Sequence, residues 1–276
     1  MKKANVQKKI FSKRIKLILL LFIASLCILS SHDLLNPDMN RREAAVAHKD
    51  SNPQRGSERE YGLYLAGRGL FDDRNRTGVY NQEIPVGKAA GAVVAIDPGH
   101  GGKDCGTSFE KLEEKDISLD ISLTLGEMLE KAGIHVLYTR EEDEYIGLGK
   151  RAEIANEAGA DLFLSIHCNS MEDDTSCNGS ETLYKNKKSE TGKVSSKKFA
   201  EIIQGELPGA ISTKDNGIKL RPRLAVLVAT DMPAIIAEVG YISNESDRAK
   251  LASEEYRKKA AEALYRGVIK ALNEMK

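Results

Sequence analysis

The chain has 276 residues, enough for one large domain or two small ones, and its 41% hydrophobic and 30% charged residues are ordinary for a globular fold. The formal charge is zero, yet the first sixteen residues carry seven basic groups and no acid, leaving 34 basic against 41 acidic residues in the remainder. A net charge of −7 on that remainder argues against a nucleic-acid binder, whose folded part would be basic.

Lys2, Lys3, Lys8, Lys9, Lys13, Arg14 and Lys16 run straight into the apolar-dominated stretch Leu17–Leu29. A positive segment followed by an apolar one is the layout of an export signal. Thirteen residues of helix reach only ~20 Å, short of a ~30 Å hydrocarbon core, which favours a cleaved signal over a spanning anchor. Residues 1–31 are therefore expected to be a signal peptide or signal anchor, placing the protein outside the cytoplasm, with membrane association through this segment as the second option. Ser25-Leu26-Cys27 and Ala45-Val46-Ala47 are both small-x-small cleavage candidates. Residues 32–90 are rich in Asn, Asp, Arg, Ser and Gly with no apolar period, and read as a polar, disordered linker.

Residues 91–276 alternate strand and helix. Ala92–Ile96 is a strand ended by Asp97-Pro98-Gly99, Glu114–Ala132 a helix stopped by Gly133, and Ile134–Thr139 a second strand. A helix over Arg151–Ala158 stops at Gly159, and Asp161–His167 is a third strand. Gly179–Tyr184 reads as a further strand, Ser195–Leu207 as a helix, Ala234–Glu238 as a fourth core strand, and a long helix with Ser253 as N-cap closes the chain. The expectation is one α/β domain with a mostly parallel central sheet flanked by helices, whose ligands bind at the carboxyl ends of the strands.

That edge sorts the candidate residues. His100 follows the first strand and His167 closes the third, so both fall on the carboxyl edge, whereas His135 opens the second strand at the opposite one. Glu113 and Glu114 begin the first helix at the same edge as His100, and the pattern alone does not choose between them; the macrodipole also favours acids there. Glu238 ends the apolar run Ala234–Ala237, too dry to hold a charge without a partner. Two histidines, a carboxylate ligand and a second carboxylate suit a catalytic zinc that activates water, and hence a metal-dependent hydrolase. Of the cysteines, Cys27 sits in the apolar segment, and Cys105, Cys168 and Cys177 allow at most one internal disulfide. Whether Cys168 and Cys177 pair stays open, and the lack of a CxxC pair excludes a zinc knuckle.

The blocks Ile96–Gly102, Glu114–Asp116, Tyr138–Arg140, Arg151 with Ala155-Asn156, Asp161–Asn169 and Met232-Pro233 through Glu238–Asn244 resemble, in this order, the zinc-dependent N-acetylmuramoyl-L-alanine amidases of bacterial division and sporulation. The resemblance covers roughly Val93 to the C-terminus. It implies that His100, Glu114 and His167 hold one Zn2+, that Glu238 is the catalytic general base and acid, and that the substrate is peptidoglycan, cut between N-acetylmuramic acid and L-alanine in the cell wall. Asn169, Arg140 and Arg151 are the candidates for contacting substrate, the arginines by steering the anionic peptide stem; their alternative is an ion pair with Asp143 or Glu153. Cys168 stands where the family usually carries a small residue such as Ala and, on a strand, should face away from the metal; Cys105 is a competing ligand candidate. Asn216–Lys219 lacks the Arg that often precedes its glycine, though Arg221 and Arg223 follow closely. The stretch between His167 and Glu238 is short for the helical insertion that blocks some members' sites, so the site reads as open without an activator. The competing functions are a zinc peptidase acting within the stem peptide and a non-catalytic wall-binding protein.

Overall fold

The computed structural model describes residues 86–186 and 194–275. The expected signal and all but the last residues of the expected linker lie outside them. At 86–90, inside the stretch expected to be linker, Gly87–Ala89 form a 3-10 turn, and Ala89 is wholly buried against the core.

The strands are β1 (Val93–Pro98), β2 (Ser108–Phe109), β3 (Leu112–Glu113), β4 (His135–Tyr138), β5 (Leu162–Asn169), β6 (Ser180–Tyr184), β7 (Asp215–Leu220) and β8 (Ala234–Tyr241). The helices are α1 (Glu114–Lys131), α2 (Leu148–Glu157), α3 (Ser196–Ile211), α4 (Ala225–Ala229), α5 (Glu245–Leu251) and α6 (Glu254–Met275). Six strands form one sheet in the order β4-β1-β5-β8-β6-β7, and β2 pairs with β3 in a small hairpin. β4, β1, β5 and β8 run parallel, while β6 is antiparallel to β8 and parallel to β7. The sheet is thus mixed and mostly parallel, as expected of an α/β domain.

Both faces of the central strands are apolar, and successive residues serve opposite layers. Leu162, Leu164, Ile166, Ile235, Ala237 and Val239 pack under α1, α3 and α6. Ala95, Phe163, Ala234 and Ile236 pack under α2 and α4 with Ala155, Val226 and Leu227. α1 ends where Gly133 takes φ +77°, a conformation that costs glycine little.

Several boundaries differ from the sequence reading. α3 starts on its Ser195 cap, which accepts a hydrogen bond from Lys198 N, but runs through Pro208 to Ile211. An interior proline costs about 3 kcal/mol; the burial of Leu207 and Ile211 at 0% and 3% exposure on either side of it opposes that cost. The sequence reading does not contain β2, β3, β7, α4 or α5, since each is too short to show a strand or helix period. The strand at 234 runs on to Tyr241 because β5 carries the ladder as far as Asn169↔Tyr241.

Candidate metal centre

β1 ends in Asp97-Pro98-Gly99-His100, and the chain turns at once, with His100 at φ +60°. Two buried arginines hold this turn. Arg140, 2% exposed, donates to the carbonyl oxygens of Pro98 (3.1 Å), Gly99 (2.8 Å), Lys115 (2.8 Å) and Glu142 (2.9 Å). Arg151, 3% exposed, donates to Asp97 Oδ1 (2.7 Å) and to the carbonyls of Pro98 (2.6 Å), His100 (2.5 Å) and Ile146 (2.8 Å). Asp97 also accepts from Thr139 Oγ1 and Ser165 Oγ, at 2.5 and 2.6 Å. The donors of both arginines are committed to protein atoms, of the loop that carries His100 and of the segments packed against it. The ion-pair alternative is corrected, since Asp143 pairs with Lys115, Glu153 with Lys150, and Arg151 with Asp97.

The hairpin β2–β3 delivers Glu114 to the start of α1, where it is 3% exposed. Its Oε1 lies 3.2 Å from His100 Nε2 and 2.9 Å from His167 Nδ1 and accepts from Cys168 N at 3.0 Å; its Oε2 accepts from Thr107 N at 2.9 Å. One ligand atom from each of His100, Glu114 and His167 falls within 4.8 Å of the others. The two rings meet edge to face, with centroids 4.9 Å apart. Two glycines leave the space they need. A Cβ on Gly99 would sit 2.4–2.7 Å from three atoms of the His167 ring, and one on Gly106, at φ +65°, 2.6 Å from His100 Cδ2 and Glu114 Oε2.

Burial alone would raise the Glu114 carboxyl, but the two imidazoles hold it well below the usual carboxylate range. Burial alone would lower His167; the Glu114 carboxylate outweighs it, and the imidazole is pushed up to about 9. A carboxylate clasped between two imidazoles is a charge arrangement that either protons or a divalent cation can neutralise. The donor set therefore fits a zinc-sized ion.

Glu238 stands directly beside His167 in the parallel ladder. Burial pushes its carboxyl up to about 7, against the pull of the His167 charge, with Glu114 and Glu181 adding to the rise. Its Oε2 is buried without a hydrogen-bond partner. Such an atom is costly in a fold and is a mark of chemistry.

The remaining candidates separate cleanly. Asn169 is spent on protein: Nδ2 donates to Glu181 Oε1 at 2.9 Å and Oδ1 accepts from Ser170 N at 2.8 Å. Cys168 turns into the core opposite His167, and Cys105, Cys168 and Cys177 are all free thiols, so no disulfide joins Cys168 to Cys177. Cys105 is outside the ligand cluster found among the described residues. Arg221 and Arg223 follow β7, which runs opposite to β8, and so lie at the far edge of the sheet from His167. Two residues were missed by the sequence reading. Asp97 was seen only as part of a turn, and Glu181 only as part of a strand, although an acid two residues from Leu183 shares its face and was a visible signal.

A model of the family Amidase_3, N-acetylmuramoyl-L-alanine amidase, matches residues 94–270. The chain belongs to this family. The amidase domain is 38% identical over 178 residues to the uncharacterized protein YqiI of Bacillus subtilis, covering 64% of this chain and 84% of that one. It is 37% identical over 179 residues to the N-acetylmuramoyl-L-alanine amidase LytC of the same organism, covering 65% of this chain but only 35% of LytC. Among solved structures it resembles an N-acetylmuramoyl-L-alanine amidase from Clostridium difficile 630 at 35% identity and TM-score 0.62, over 66% of this chain and 97% of that one. AmiC2 of Nostoc punctiforme, at 36% identity and TM-score 0.62, matches over 67% and 99%.

Proposed function

We propose that this amidase-family chain is exported and hydrolyses the amide between N-acetylmuramic acid and L-alanine of peptidoglycan with one bound zinc. The observation that carries the reading is the set His100, Glu114 and His167, drawn within 4.8 Å at the carboxyl edge, with the partnerless Glu238 oxygen on the next strand. The names of the relatives support the substrate, and the basic and apolar segments before residue 30 support export. Among the described residues no helix is long and apolar enough to cross a membrane, and Leu17–Leu29 lies outside them.

His100, Glu114 and His167 would hold the metal. When held by three protein ligands, zinc lowers the pKa of water towards ~7 and polarises a carbonyl oxygen. Glu238 is the group that moves the proton. Its carboxylate takes a proton from the attacking water as the new C–O bond forms, then gives that proton to the amide nitrogen as the C–N bond breaks. Burial raises this carboxyl above its ordinary value, the direction that suits a group which must first take a proton and then give it up. Asp97, Arg140 and Arg151 fix the turn that carries His100, and Gly99 leaves room for the His167 ring.

The test is digestion of purified peptidoglycan by the full chain and by its Glu238→Gln variant, with zinc content measured on both. One zinc ion in each, with L-alanine amines released from intact muramic acid by the wild type alone, is the expected outcome. New amino termini inside the stem peptide would point instead to a peptidase, and a wild type without zinc would overturn the ligand set.

A further inference from the structure

Glu181 is 6% exposed and has no part in the chemistry above. It lies directly opposite Glu238 in the antiparallel β6–β8 pair, and Glu238 in turn lies beside His167 in the parallel β8–β5 pair. Register partners point to the same face of a sheet, with Cβ atoms roughly 5 Å apart. His167, Glu238 and Glu181 thus form one row across three strands, a metal-ligand candidate at one end and a second carboxyl at the other.

This row is expensive. Like charges directly opposite one another destabilise a strand pair, and here Glu181 is buried and Glu238 half-buried, with its Oε2 atom out of reach of water. The fold nevertheless holds Glu181 in place from two sides. Asn169 Nδ2 reaches it from β5 at 2.9 Å. Asp247 Oδ2 accepts from both Gly179 N (2.6 Å) and Tyr241 N (3.1 Å), pinning the start of β6 to the end of β8 and so fixing the register that sets Glu181 against Glu238. Glu181 leaves the buried Oε2 of Glu238 without a hydrogen bond, so it does not serve to satisfy its neighbour.

Amide hydrolysis provides a use for such a group. The nitrogen that receives the proton from Glu238 must lie beside Glu238, and it gains positive charge and a second N–H in that step. An acceptor next to Glu238, on the side away from His167, interacts most strongly once this charge has developed, which lowers the barrier rather than merely binding substrate.

We infer that Glu181 is a catalytic residue of the amidase reaction, its carboxylate accepting an N–H hydrogen bond from the departing L-alanine nitrogen. The inference rests on the amidase reading. Glu181→Gln keeps an oxygen for Asn169 and removes the charge. In the full, zinc-loaded chain it should lower kcat on a muramoyl-L-alanyl peptide on the order of 10- to 100-fold with KM little changed. Zinc affinity should be unaltered and Tm equal or higher, because a like-charge pair is relieved. On the ester analogue with L-lactate in place of L-alanine, whose leaving atom is an oxygen with no amide N–H, wild type and variant should differ by less than about threefold. Wild-type kcat in Glu181→Gln, an equal loss on amide and ester, or a loss that tracks zinc affinity or a fall in Tm would each overturn the inference. A wild-type chain that binds zinc yet releases no L-alanine amines would overturn the amidase reading itself, and is told apart by that control.

Discussion

Gly99 stands where a single methyl group would meet the His167 ring at 2.4–2.7 Å. The close approach is between a backbone that the β1 turn fixes and a ring that the β5 strand fixes, so neither can yield without moving a proposed ligand. Gly99→Ala should leave the far-ultraviolet spectrum unchanged and weaken zinc affinity roughly 10- to 100-fold, the range seen when support for a ligand is lost; competition against a chromophoric chelator measures it. Gly106 is constrained twice, by φ +65° and by the His100 ring. At this scale the sequence displayed the glycines around His100 but not what each one faces, because the residues they make room for are distant along the chain.

Between elements, the Asp97–Arg140–Arg151 network ties the β1 turn to β4, α1 and α2. Arg151→Met preserves bulk but leaves Asp97 buried without its cation and the carbonyls of Pro98 and His100 without that donor. Urea unfolding should show a loss of about 3–5 kcal/mol, and Arg151→Lys should recover only part of it, since an ammonium cannot reproduce the guanidinium fork. α3 and α6 are joined differently, by Ile203 against Gly267 and by Glu206, whose Oε2 accepts from Arg266 at 2.8 Å and whose Oε1 pairs with Lys270. Burial alone would raise the Glu206 carboxyl, but Lys270 and Arg266 hold it below its ordinary value. A depressed folded pKa stabilises above the unfolded pKa of about 4.3, and that contribution fades as pH falls through the lower folded value. Glu206→Gln should therefore be less stable than wild type at pH 7 by no more than about 1 kcal/mol, the range for surface pairs. The two unfolding curves should converge in acid.

For the whole molecule, the proposed ligands come from the β1 turn, the start of α1 and the end of β5, each anchored in a core that does not include the site. Chelation should then abolish hydrolysis and lower Tm by the linkage expected of a bound ion, while leaving the circular dichroism of the folded state intact. A loss of secondary structure on chelation would mean that the metal helps to build the domain. The α/β class, the carboxyl-edge location of His100, His167 and Glu238, and the family resemblance were legible in the chain, because strand and helix periods and strand-end motifs are local properties. Tertiary structure decided the rest. Arg140 and Arg151 read as surface charges steering substrate, yet they are buried, because only the folded chain brings six backbone carbonyls from separate segments around them. The antiparallel insertion of β6 between β8 and β7 sets Glu181 opposite Glu238, a placement that depends on pairing between strands more than fifty residues apart. The sequence by itself determined which residues can do chemistry; which of them meet, and which are held in place by others, follows from strand order and register, which are properties of the assembled sheet.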